Sequence, residues 1–385
     1  MQQSTWFTPE GLEDLLPSQA QKLEYYRRQL LDGFHLSGFE LVLPPIAEFT
    51  DALLTGTARH MAVDTCRFTD QESGRMMGVR ADMTPQVARI VSNRLKSQDI
   101  SKLCYVGEVL KTRNNKAKGS RSPLQIGAEI FGHDGIDSDI EIIELMLETM
   151  TRLGLETKLS LGHVGVVDEL AALAGLSKDQ IKELIDILER KALPEYSDYI
   201  TENLADSDYK AAFESLITLC GDAQEVVTNS TSLQGLSSNL DKALNHLAQM
   251  VEHLRATHAC EIHLDLADIR GYQYHTGIIF ATYAKNGPLY HIAKGGRYDD
   301  IGSEFGLALP ATGFSLDLRM ALDLIEDPEQ HEKVVYVRSV SDADLAAKIA
   351  ELKAQGYQVI KVYAGGEIPA DAAQLQKNDN QWVLS

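Results

Sequence analysis

The sequence predicts an α+β fold in which an antiparallel sheet is flanked by helices. Three observations favour it: strand patterns paired around a short polar turn, helical patterns between further strands, and a helix-rich segment that interrupts the strand pattern. Hairpins mixed with helices are typical of antiparallel sheets, whereas regular strand–helix alternation is typical of doubly wound parallel sheets. At 385 residues and 44% hydrophobic composition, the chain can bury more than one core.

Residues 1–164 are predicted to form the first part of this sheet domain. The first helix is expected from Pro17, because apolar residues then recur near the helical period and proline is a suitable first residue. The predicted elements are helix 17–36, strand 39–43, a hairpin of strands 65–68 and 76–80, helix 85–96, strands 102–111 and 124–132 around a polar loop at 112–122, and helix 138–153.

Three further regions follow. Residues 165–256 are predicted to form a helical insertion, with helices over 167–174, 178–190, 208–219 and 238–254. Residues 257–327 return to the sheet domain, with strands over 261–266, 277–283 and 290–293 and a helix over 315–325. Residues 328–385 are predicted to form a small α/β module from strand 334–337, helix 342–355 and strand 358–363.

Composition and charge exclude several classes of protein. No run approaches the ~18 to 20 apolar residues that cross a bilayer, and the start of the chain lacks a signal-peptide pattern, so we expect a cytoplasmic protein that uses no membrane. Four widely spaced cysteines predict reduced thiols rather than a metal cluster or disulfide framework. A net charge of −20 disfavours nucleic acid as a main partner.

Candidate site residues begin where the strand that ends at Arg80 meets a helix. Asp82 or Thr84 either caps that helix, or Asp82 receives the ammonium group of a ligand. Gln125 and Glu129 are four residues apart on one predicted strand, so both side chains point to the same face. Gly127 between them is expected to leave that face open. This pair forms either the floor of a polar pocket or part of a solvated sheet face.

A second group of candidates lies where the chain turns before a later strand. Arg270, Tyr274 and His275 combine a guanidinium group with aromatic rings, which suits a small zwitterion that carries a ring. His275 by itself is more often structural. The segment 295–299, Gly-Gly-Arg-Tyr-Asp, either lets the backbone approach a ligand closely or forms a tight turn.

Six segments, in order, resemble the catalytic core of histidyl-tRNA synthetases. They are 9–17, 80–84, 107–132, 270–277, 295–299 and 310–314, and the resemblance covers roughly residues 6–325. It implies a class II aminoacyl-tRNA synthetase-like fold, with an antiparallel sheet, flanking helices and the insertion at 165–256. It also implies a dimer formed through the helix and strand near Phe34 to Pro45.

The departures from that family concern the ATP side of its site. Two family arginines that neutralise phosphate charge during adenylation are matched by Lys111 and Met320, and methionine cannot contact a phosphate. Glutamates beside those arginines are matched by Arg113 and Arg319. These changes, the short C-terminal module and the net charge argue against ATP use and against tRNA as a partner.

The strings Arg-Gly-Tyr-x-Tyr-His-Thr-Gly and Asp-Met-Thr-Pro-Gln resemble the ATP phosphoribosyltransferase regulatory subunit family, which is paralogous to the synthetases. The resemblance implies a chain without catalytic residues, metal or cofactor. Such a chain activates a short ATP phosphoribosyltransferase catalytic subunit in the first step of histidine biosynthesis and transmits feedback inhibition by histidine. It implies a homodimer within a larger hetero-oligomer. A divergent histidyl-tRNA synthetase, or another amino-acid adenylating enzyme, is the alternative.

The resemblance implies that histidine is the ligand of the candidate residues. The expected histidine-binding set is Asp82, Thr84, Gln125, Glu129, Arg270, Tyr274 and His275. Glu129 is expected to accept from the imidazole, Asp82 and Gln125 to hold the amino group, and Arg270 to face the carboxylate, because an unpaired buried charge is costly. Asp82 and His275 stand where the synthetases have glutamate and tyrosine. Binding of effector histidine at the subunit interface, or on the partner, remains open.

Overall fold

A computed structural model of the chain describes residues 7–55, 61–96, 99–113, 120–205, 207–272, 274–287, 290–299, 301–328, 333–379 and 381–385. The N-terminal segment 1–6 and part of the predicted polar loop at 112–122 lie outside the described residues. The chain divides into two compact units, Met1–Glu326 and Asp327–Ser385.

The first half of the larger unit begins with α1 (Pro17–Leu36), whose Tyr26, Leu30 and Phe34 recur at helical spacing and are buried. It continues with β1 (Glu40–Leu41), β2 (Ala47–Phe49), α2 (Thr50–Leu53), β3 (Arg67–Thr69), β4 (Met76–Val79), α3 (Thr84–Arg89) with a π-helical extension over Ile90–Leu95, β5 (Ser101–Glu108), β6 (Leu124–Phe131) and α4 (Ile136–Arg152). The predicted hairpin is confirmed, because β3 pairs antiparallel with β4.

The second half of this unit contains the helix-rich segment and the remaining strands. In order, they are β7 (Thr157–His163), α5 (Val164–Leu173), α6 (Lys178–Glu189), α7 (Leu193–Asn203), α8 (Lys210–Leu216), β8 (Cys220–Asp222), α9 (Ala223–Asn229), α10 (Ser238–Thr257), β9 (Glu261–Asp265), β10 (Ile278–Ala284), β11 (His291–Arg297), β12 (Ala311–Asp317) and α11 (Leu318–Ala321).

The main sheet has nine described strands in the order β1-β5-β6-β12-β11-β10-β7-β9-β8. Its pairs are antiparallel except for β1 with β5 and β7 with β9. The predicted α+β class is therefore confirmed, although the sheet is mixed at those two positions. One continuous apolar core joins α1, α4, the sheet and the helix-rich segment, with Phe314 of β12 and Leu184 of α6 among its members.

Several predicted elements differ from the structure. The helix expected over 315–325 is wrong at its start: β12 runs to Asp317, whose carboxylate accepts from the backbone N–H groups of Arg319 at 3.0 Å and Met320 at 3.3 Å and so starts α11 at Leu318. The short helices α7 and α9 and the three-residue strand β8 were not predicted. The helices α7 and α9 bury only three and two side chains, and β8 buries none, which is too few to establish a period.

The smaller unit contains β13 (Val334–Arg338), α12 (Ala343–Ala354), β14 (Gln358–Val362), β15 (Gln374–Asn378) and β16 (Gln381–Leu384). The predicted strand–helix–strand order is confirmed, with β13 and β14 parallel. An unpredicted antiparallel pair, β15 and β16, completes a four-stranded sheet in the order β14-β13-β15-β16. Val335, Val337 and Leu375 pack against Leu345 and Leu352 of α12 to form this unit's own core.

Over the described residues, none of the helices is both long and apolar enough to cross a bilayer. The four cysteines all lie in the described ranges and are free thiols. Within the same ranges, no group of three or more histidine, cysteine or acidic side chains is arranged to hold a metal ion.

Candidate functional site

Cross-strand pairing places the strand-borne candidates on one face of the main sheet, because directly paired residues point the same way. One row across the sheet runs Tyr105, Gly127, Ser315, Lys294, Ala281, Ser160 and His263. The next row, two residues further along each strand, runs Glu129, Gly313, Gly296, Ile279 and Gly162. Of the glycines in this second row, Gly313 leaves a hollow in the sheet face beside Glu129, whereas His275 and Asp268 lie over Gly296 and Gly162.

A cavity of about 160 Å³ lies over this hollow, and we call it the carboxylate cavity. The side chains that matter for its chemistry are Asp82, Thr84, Glu129, Tyr274, His275, Lys294 and Tyr298. Gly313 forms part of the wall, and a Cβ atom at this position would lie 2.6 Å from the Glu129 carboxyl carbon and 2.7 Å from the Tyr298 hydroxyl. Glycine is therefore required here for Glu129 and Tyr298 to face each other across open space.

Glu129 is the most unusual group of this cavity, with only 1% of its surface exposed. Its Oε1 atom accepts from the Thr84 hydroxyl at 2.9 Å and from the Tyr105 hydroxyl at 2.9 Å. Its Oε2 atom has no hydrogen-bond partner among the described residues. Burial raises the pKa of Glu129 well above its ordinary value, although the hydrogen bonds from Thr84 and Tyr105 oppose that shift.

The space over Gly127 is filled, contrary to prediction. The Tyr105 ring lies there, and its hydroxyl would be 2.7 Å from a Cβ atom on Gly127. The absence of a side chain thus lets Tyr105 cross the neighbouring strand and reach Glu129. Of the two alternatives for Gln125 and Glu129, the solvated sheet face is excluded, because both residues are buried.

Asp82 and Gln125 form a connected pair at the edge of the cavity. Asp82 Oδ1 accepts from the Thr84 backbone N–H at 3.0 Å and from Gln125 Nε2 at 2.9 Å. Gln125 also accepts from the Met83 N–H at 2.9 Å and donates to Ser315 Oγ at 3.1 Å. The Gln125 amide is therefore fully used within the protein, and it orients Asp82. Asp82 accepts from the first N–H of the helix and also lines the cavity, so the capping alternative leaves its predicted contact with a ligand ammonium group possible.

The loop before β10 supplies the aromatic wall. Tyr274 and His275 pack edge to face with ring centroids 5.4 Å apart, and Tyr274 lies 5.4 Å from the Tyr298 ring. Burial lowers the pKa of His275 to about 4, so the imidazole is neutral at physiological pH. Both residues line the carboxylate cavity with Glu129. Gly296 makes this possible, since a Cβ atom there would lie 2.7 Å from His275 Nδ1.

Arg270 lies on a different cavity from Glu129. This arginine cavity has a volume of about 730 Å³ and adjoins the carboxylate cavity, with Gly271, His275, Lys294 and Gly295 in the wall of both. The Arg270 guanidinium donates to both carboxylate oxygens of Asp268, to the Tyr283 hydroxyl and, at 3.1 Å, to Ser160 Oγ. Burial by itself would lower the pKa of Arg270, but the hydrogen bond with Asp268 and the negative charges of Asp268 and its neighbours together outweigh burial and raise the pKa.

A third cavity, of about 290 Å³, lies on the other side of Lys294 and includes Lys111, Arg113 and Met320. We call it the methionine cavity. The sequence positions that depart from the synthetase pattern are thus brought together in space, with the exception of Arg319. The Arg319 guanidinium donates to Glu108 Oε1 at 3.1 Å and to the Glu13 carbonyl at 3.1 Å.

The chain is similar to known proteins over most of its length. A sequence model of the histidyl-tRNA synthetase family matches residues 11–321. The ATP phosphoribosyltransferase regulatory subunit of Hydrogenovibrio crunogenus is 59% identical over 387 aligned positions that cover 100% of both chains. The protein of the same name from Thioalkalivibrio sulfidiphilus is 42% identical and covers 99% of this chain and 98% of its own.

The chain belongs to the ATP phosphoribosyltransferase regulatory subunit family.

Solved structures show the fold of this family. A crystal structure from Bacillus halodurans C, described as an ATP phosphoribosyltransferase regulatory subunit/histidyl-tRNA synthetase, matches with a TM-score of 0.83 at 24% identity and covers 96% of each chain. The histidyl-tRNA synthetase of Nostoc sp. matches with a TM-score of 0.78 at 18% identity, over 95% of this chain and 88% of that one. The predicted class II synthetase-like fold is therefore confirmed.

Four site residues of this family member were not predicted as ligand-binding: Tyr105, Tyr298, Lys294 and Gly313. Tyr298 and Lys294 belong to the Gly-Gly-Arg-Tyr-Asp segment or adjoin it, and that segment was interpreted through its glycines alone. The Tyr298 hydroxyl is buried and has no hydrogen-bond partner among the described residues. The sequence did contain a signal for these two residues, because a lysine and a tyrosine close to a pair of glycines indicate polar side chains beside an open stretch of backbone. Tyr105 and Gly313 gave no local signal, because their roles depend on neighbours in other strands.

Proposed function

We propose that this chain is a histidine-binding regulatory subunit that lacks catalytic activity and acts on an ATP phosphoribosyltransferase catalytic subunit. The naming of relatives that cover the full chain supports the regulatory role in histidine biosynthesis. Binding of histidine in the carboxylate cavity is supported by the side chains of that cavity. The observation that carries the proposal is the Oε2 atom of buried Glu129, which has no hydrogen-bond partner among the described residues and faces the Tyr298 hydroxyl, which also has none among them.

A buried acceptor without a partner costs about 1 to 3 kcal/mol, and more when it is charged, so the cavity favours a ligand that donates a hydrogen bond. An imidazole N–H group is such a donor, and it is flat enough to lie among Tyr274, His275 and Tyr298. The other imidazole nitrogen can accept from the Tyr298 hydroxyl. A protonated Glu129 carboxyl group can also donate, which suits the neutral imidazole.

The ligand's amino group fits Asp82. Its Oδ1 atom is used by Thr84 and Gln125, and its side chain still lines both the carboxylate and the methionine cavity. A carboxylate next to an ammonium group forms a charge-assisted hydrogen bond, which is about twice as strong as a neutral one. Gln125 and Thr84 then act indirectly, since Gln125 orients Asp82 and Thr84 orients Glu129.

Calorimetry with the full chain tests histidine binding. The wild-type chain is expected to bind L-histidine, and Glu129→Ala to weaken it at least about 30-fold, which corresponds to about 2 kcal/mol. Glu351→Gln, which changes an exposed carboxylate of the smaller unit, is the matched control and should leave affinity unchanged. Unchanged histidine affinity in Glu129→Ala would reject this site. Histidine binding that is seen only in the complex with a catalytic subunit would indicate that the effector binds at the subunit interface.

Loss of adenylation is supported by Met320. It lines the methionine cavity beside Lys111, so one of the two positions expected to neutralise phosphates carries no charge. Histidine-dependent exchange between ATP and pyrophosphate should therefore be absent. Exchange above background, together with protection from melting by ATP and magnesium, would favour a divergent histidyl-tRNA synthetase or another adenylating enzyme instead.

Regulation requires a coupling free energy between the carboxylate cavity and the catalytic partner, typically about 1 to 3 kcal/mol. We expect a short-form catalytic subunit to co-purify with this chain and to gain activity from it. Histidine should reduce that gain in the wild-type complex and much less in the complex with Glu129→Ala. A catalytic subunit whose activity is the same with and without this chain would contradict the proposed role.

A homodimer within the larger assembly is supported by exposed apolar residues around the edge strand β1. Leu36, Leu41, Leu43 and Ile46 are all at least half exposed. Phe34, at the start of the predicted interface, is buried in the core instead and serves packing. Sedimentation analysis should give a dimer that Leu43→Glu dissociates, whereas Leu384→Glu, an exposed apolar residue of the smaller unit, should not.

A further inference from the structure

Lys294 holds a position that no other described residue shares, because it lines the carboxylate, arginine and methionine cavities together. It lies on β11, between Ala281 of β10 and Ser315 of β12 in the cross-strand row. Both neighbours are small, so the long lysine side chain stands free over the sheet face. Its ammonium group is therefore available to a ligand in any of the three cavities.

The other cations around the arginine cavity are paired within the protein. Lys191 contacts Asp265 at 2.5 Å, Lys158 contacts Glu261 at 2.8 Å, and Arg270 is held by Asp268. The Lys294 ammonium group makes no ion pair or hydrogen bond with a side chain in the described part of the chain, and only its backbone is bonded, within the sheet. Neighbouring protein atoms desolvate the ammonium group and lower the pKa of Lys294, even though its side chain still reaches solvent through the cavities.

Arg270 is poorly placed for a ligand that contacts Glu129. Its guanidinium is committed to Asp268, Tyr283 and Ser160, and it lines the arginine cavity but not the carboxylate cavity. A ligand carboxylate could recruit it only by displacing a buried carboxylate from its partner, which leaves Asp268 uncompensated.

The geometry of an α-amino acid selects between these two cations. Its amino and carboxylate groups are attached to the same carbon atom, so their protein partners must lie at the same end of the cavity. Asp82 and Lys294 satisfy this condition, since both line the carboxylate cavity and the methionine cavity that adjoins it. Without Lys294, a ligand carboxylate would enter a space that already contains the Asp82 and Glu129 carboxyl groups, where like charges repel.

We propose that Lys294, and not Arg270, binds the carboxylate of the amino acid in the carboxylate cavity and makes the site selective for the zwitterion. This inference rests on the proposed histidine-binding function and deepens it. Glu129 then recognises the ring, Asp82 the amino group and Lys294 the carboxylate. The site should therefore reject imidazole compounds that lack the carboxylate.

The test compares L-histidine with histidinol, in which an alcohol replaces the carboxylate, by calorimetry on the full chain. We expect the wild type to prefer histidine by about 10- to 100-fold, the usual worth of a charge-assisted hydrogen bond. Lys294→Met should remove most of that preference, because it should weaken the binding of histidine while changing the affinity for histidinol less than about threefold. Lys294→Arg should retain a preference. Arg270→Met, the matched control, should leave the ratio of the two affinities unchanged.

The outcomes separate this inference from the function on which it rests. A wild-type chain that fails to bind histidine would overturn both. Histidine binding with an unchanged ratio in Lys294→Met, or a ratio abolished by Arg270→Met, would overturn the assignment of Lys294 and leave the histidine site intact. If Lys294→Met does not fold, as judged by circular dichroism, the ratio measured for Lys294→Gln decides in the same way.

Discussion

Gly313→Ala is expected to block the carboxylate cavity, and its cost can be worked out from the structure. The new methyl carbon would lie 2.6 Å from the Glu129 carboxyl carbon and 2.7 Å from the Tyr298 hydroxyl, well inside van der Waals contact. Glu129 is 1% exposed and held by Thr84 and Tyr105, so it can relieve the clash only by leaving these two donors and turning into the cavity that would receive the ligand.

Two contributions add to the loss of stability. Overpacking of a buried site costs about 1 to 3 kcal/mol. Displacing the Glu129 carboxyl group from its two hydroxyl donors costs about a further 1 to 2 kcal/mol. We therefore expect Gly313→Ala to lower the free energy of unfolding by about 2 to 5 kcal/mol and to reduce histidine affinity at least about 100-fold.

A double-mutant cycle measured by urea unfolding, followed by circular dichroism, tests the cause. In the Glu129→Ala background most of the clash is gone, so Gly313→Ala should cost about 1 kcal/mol, which gives a coupling free energy of about 1 to 4 kcal/mol. Thr312→Val, one residue away on the opposite face, is the binding control and should leave histidine affinity unchanged. Additive costs at residues 129 and 313 would refute the reasoning, as would normal histidine affinity in Gly313→Ala.

Three further predictions concern buried charges. Burial raises the pKa of Glu129, so the contribution of this group to stability falls as pH rises from about 4.3 toward that raised pKa. Over this interval the free energy of unfolding of Glu129→Gln should increase relative to that of the wild type. A difference between the two proteins that stays constant with pH would contradict this prediction. Burial lowers the pKa of His163 and of His275 to about 4, so stability should be lost between about pH 6.5 and 4, by at most about 3 kcal/mol per group. His163→Asn, which can still cap α5, should reduce the loss of stability on the acid side of the stability–pH curve. An unchanged curve would show that His163 is not a source of that loss. Asp139→Asn should cost about 3 kcal/mol in urea unfolding, because Arg297 contacts Asp139 at 3.0 Å with both side chains buried, and a cost below about 1 kcal/mol would contradict this.

Most of the fold followed from local sequence patterns, and the predictions failed where those patterns were short or fitted two kinds of element. The first helix, the hairpin, the strands before and after the polar loop at 112–122 and the strand–helix–strand order of the smaller unit each show a period long enough to recognise. The helix expected over 315–325 was misplaced because its apolar residues suit either a strand or a helix. The bonds that Asp317 accepts decide where the strand ends.

The candidate site was predicted in part. Asp82, Thr84, Glu129, Tyr274 and His275 line one cavity, as the predicted ligand-binding set requires. Gln125 is near them, but its amide group forms hydrogen bonds with Met83, Asp82 and Ser315. The ligand contacts themselves remain predictions.

By itself, the sequence determined most of the elements, the family and which polar residues were available for a site, because each depends on residues close together in the chain or on ordered motifs. Only the tertiary structure decided which of those residues face one another. Strand register aligns Glu129 with Gly313 and Gly127 with Tyr105, and it brings Lys294 between the three cavities. Pairing with Asp268 holds Arg270 in the neighbouring cavity. The physical reason is that a side chain's partners are set by cross-strand neighbours far away in sequence, and no local periodicity encodes them.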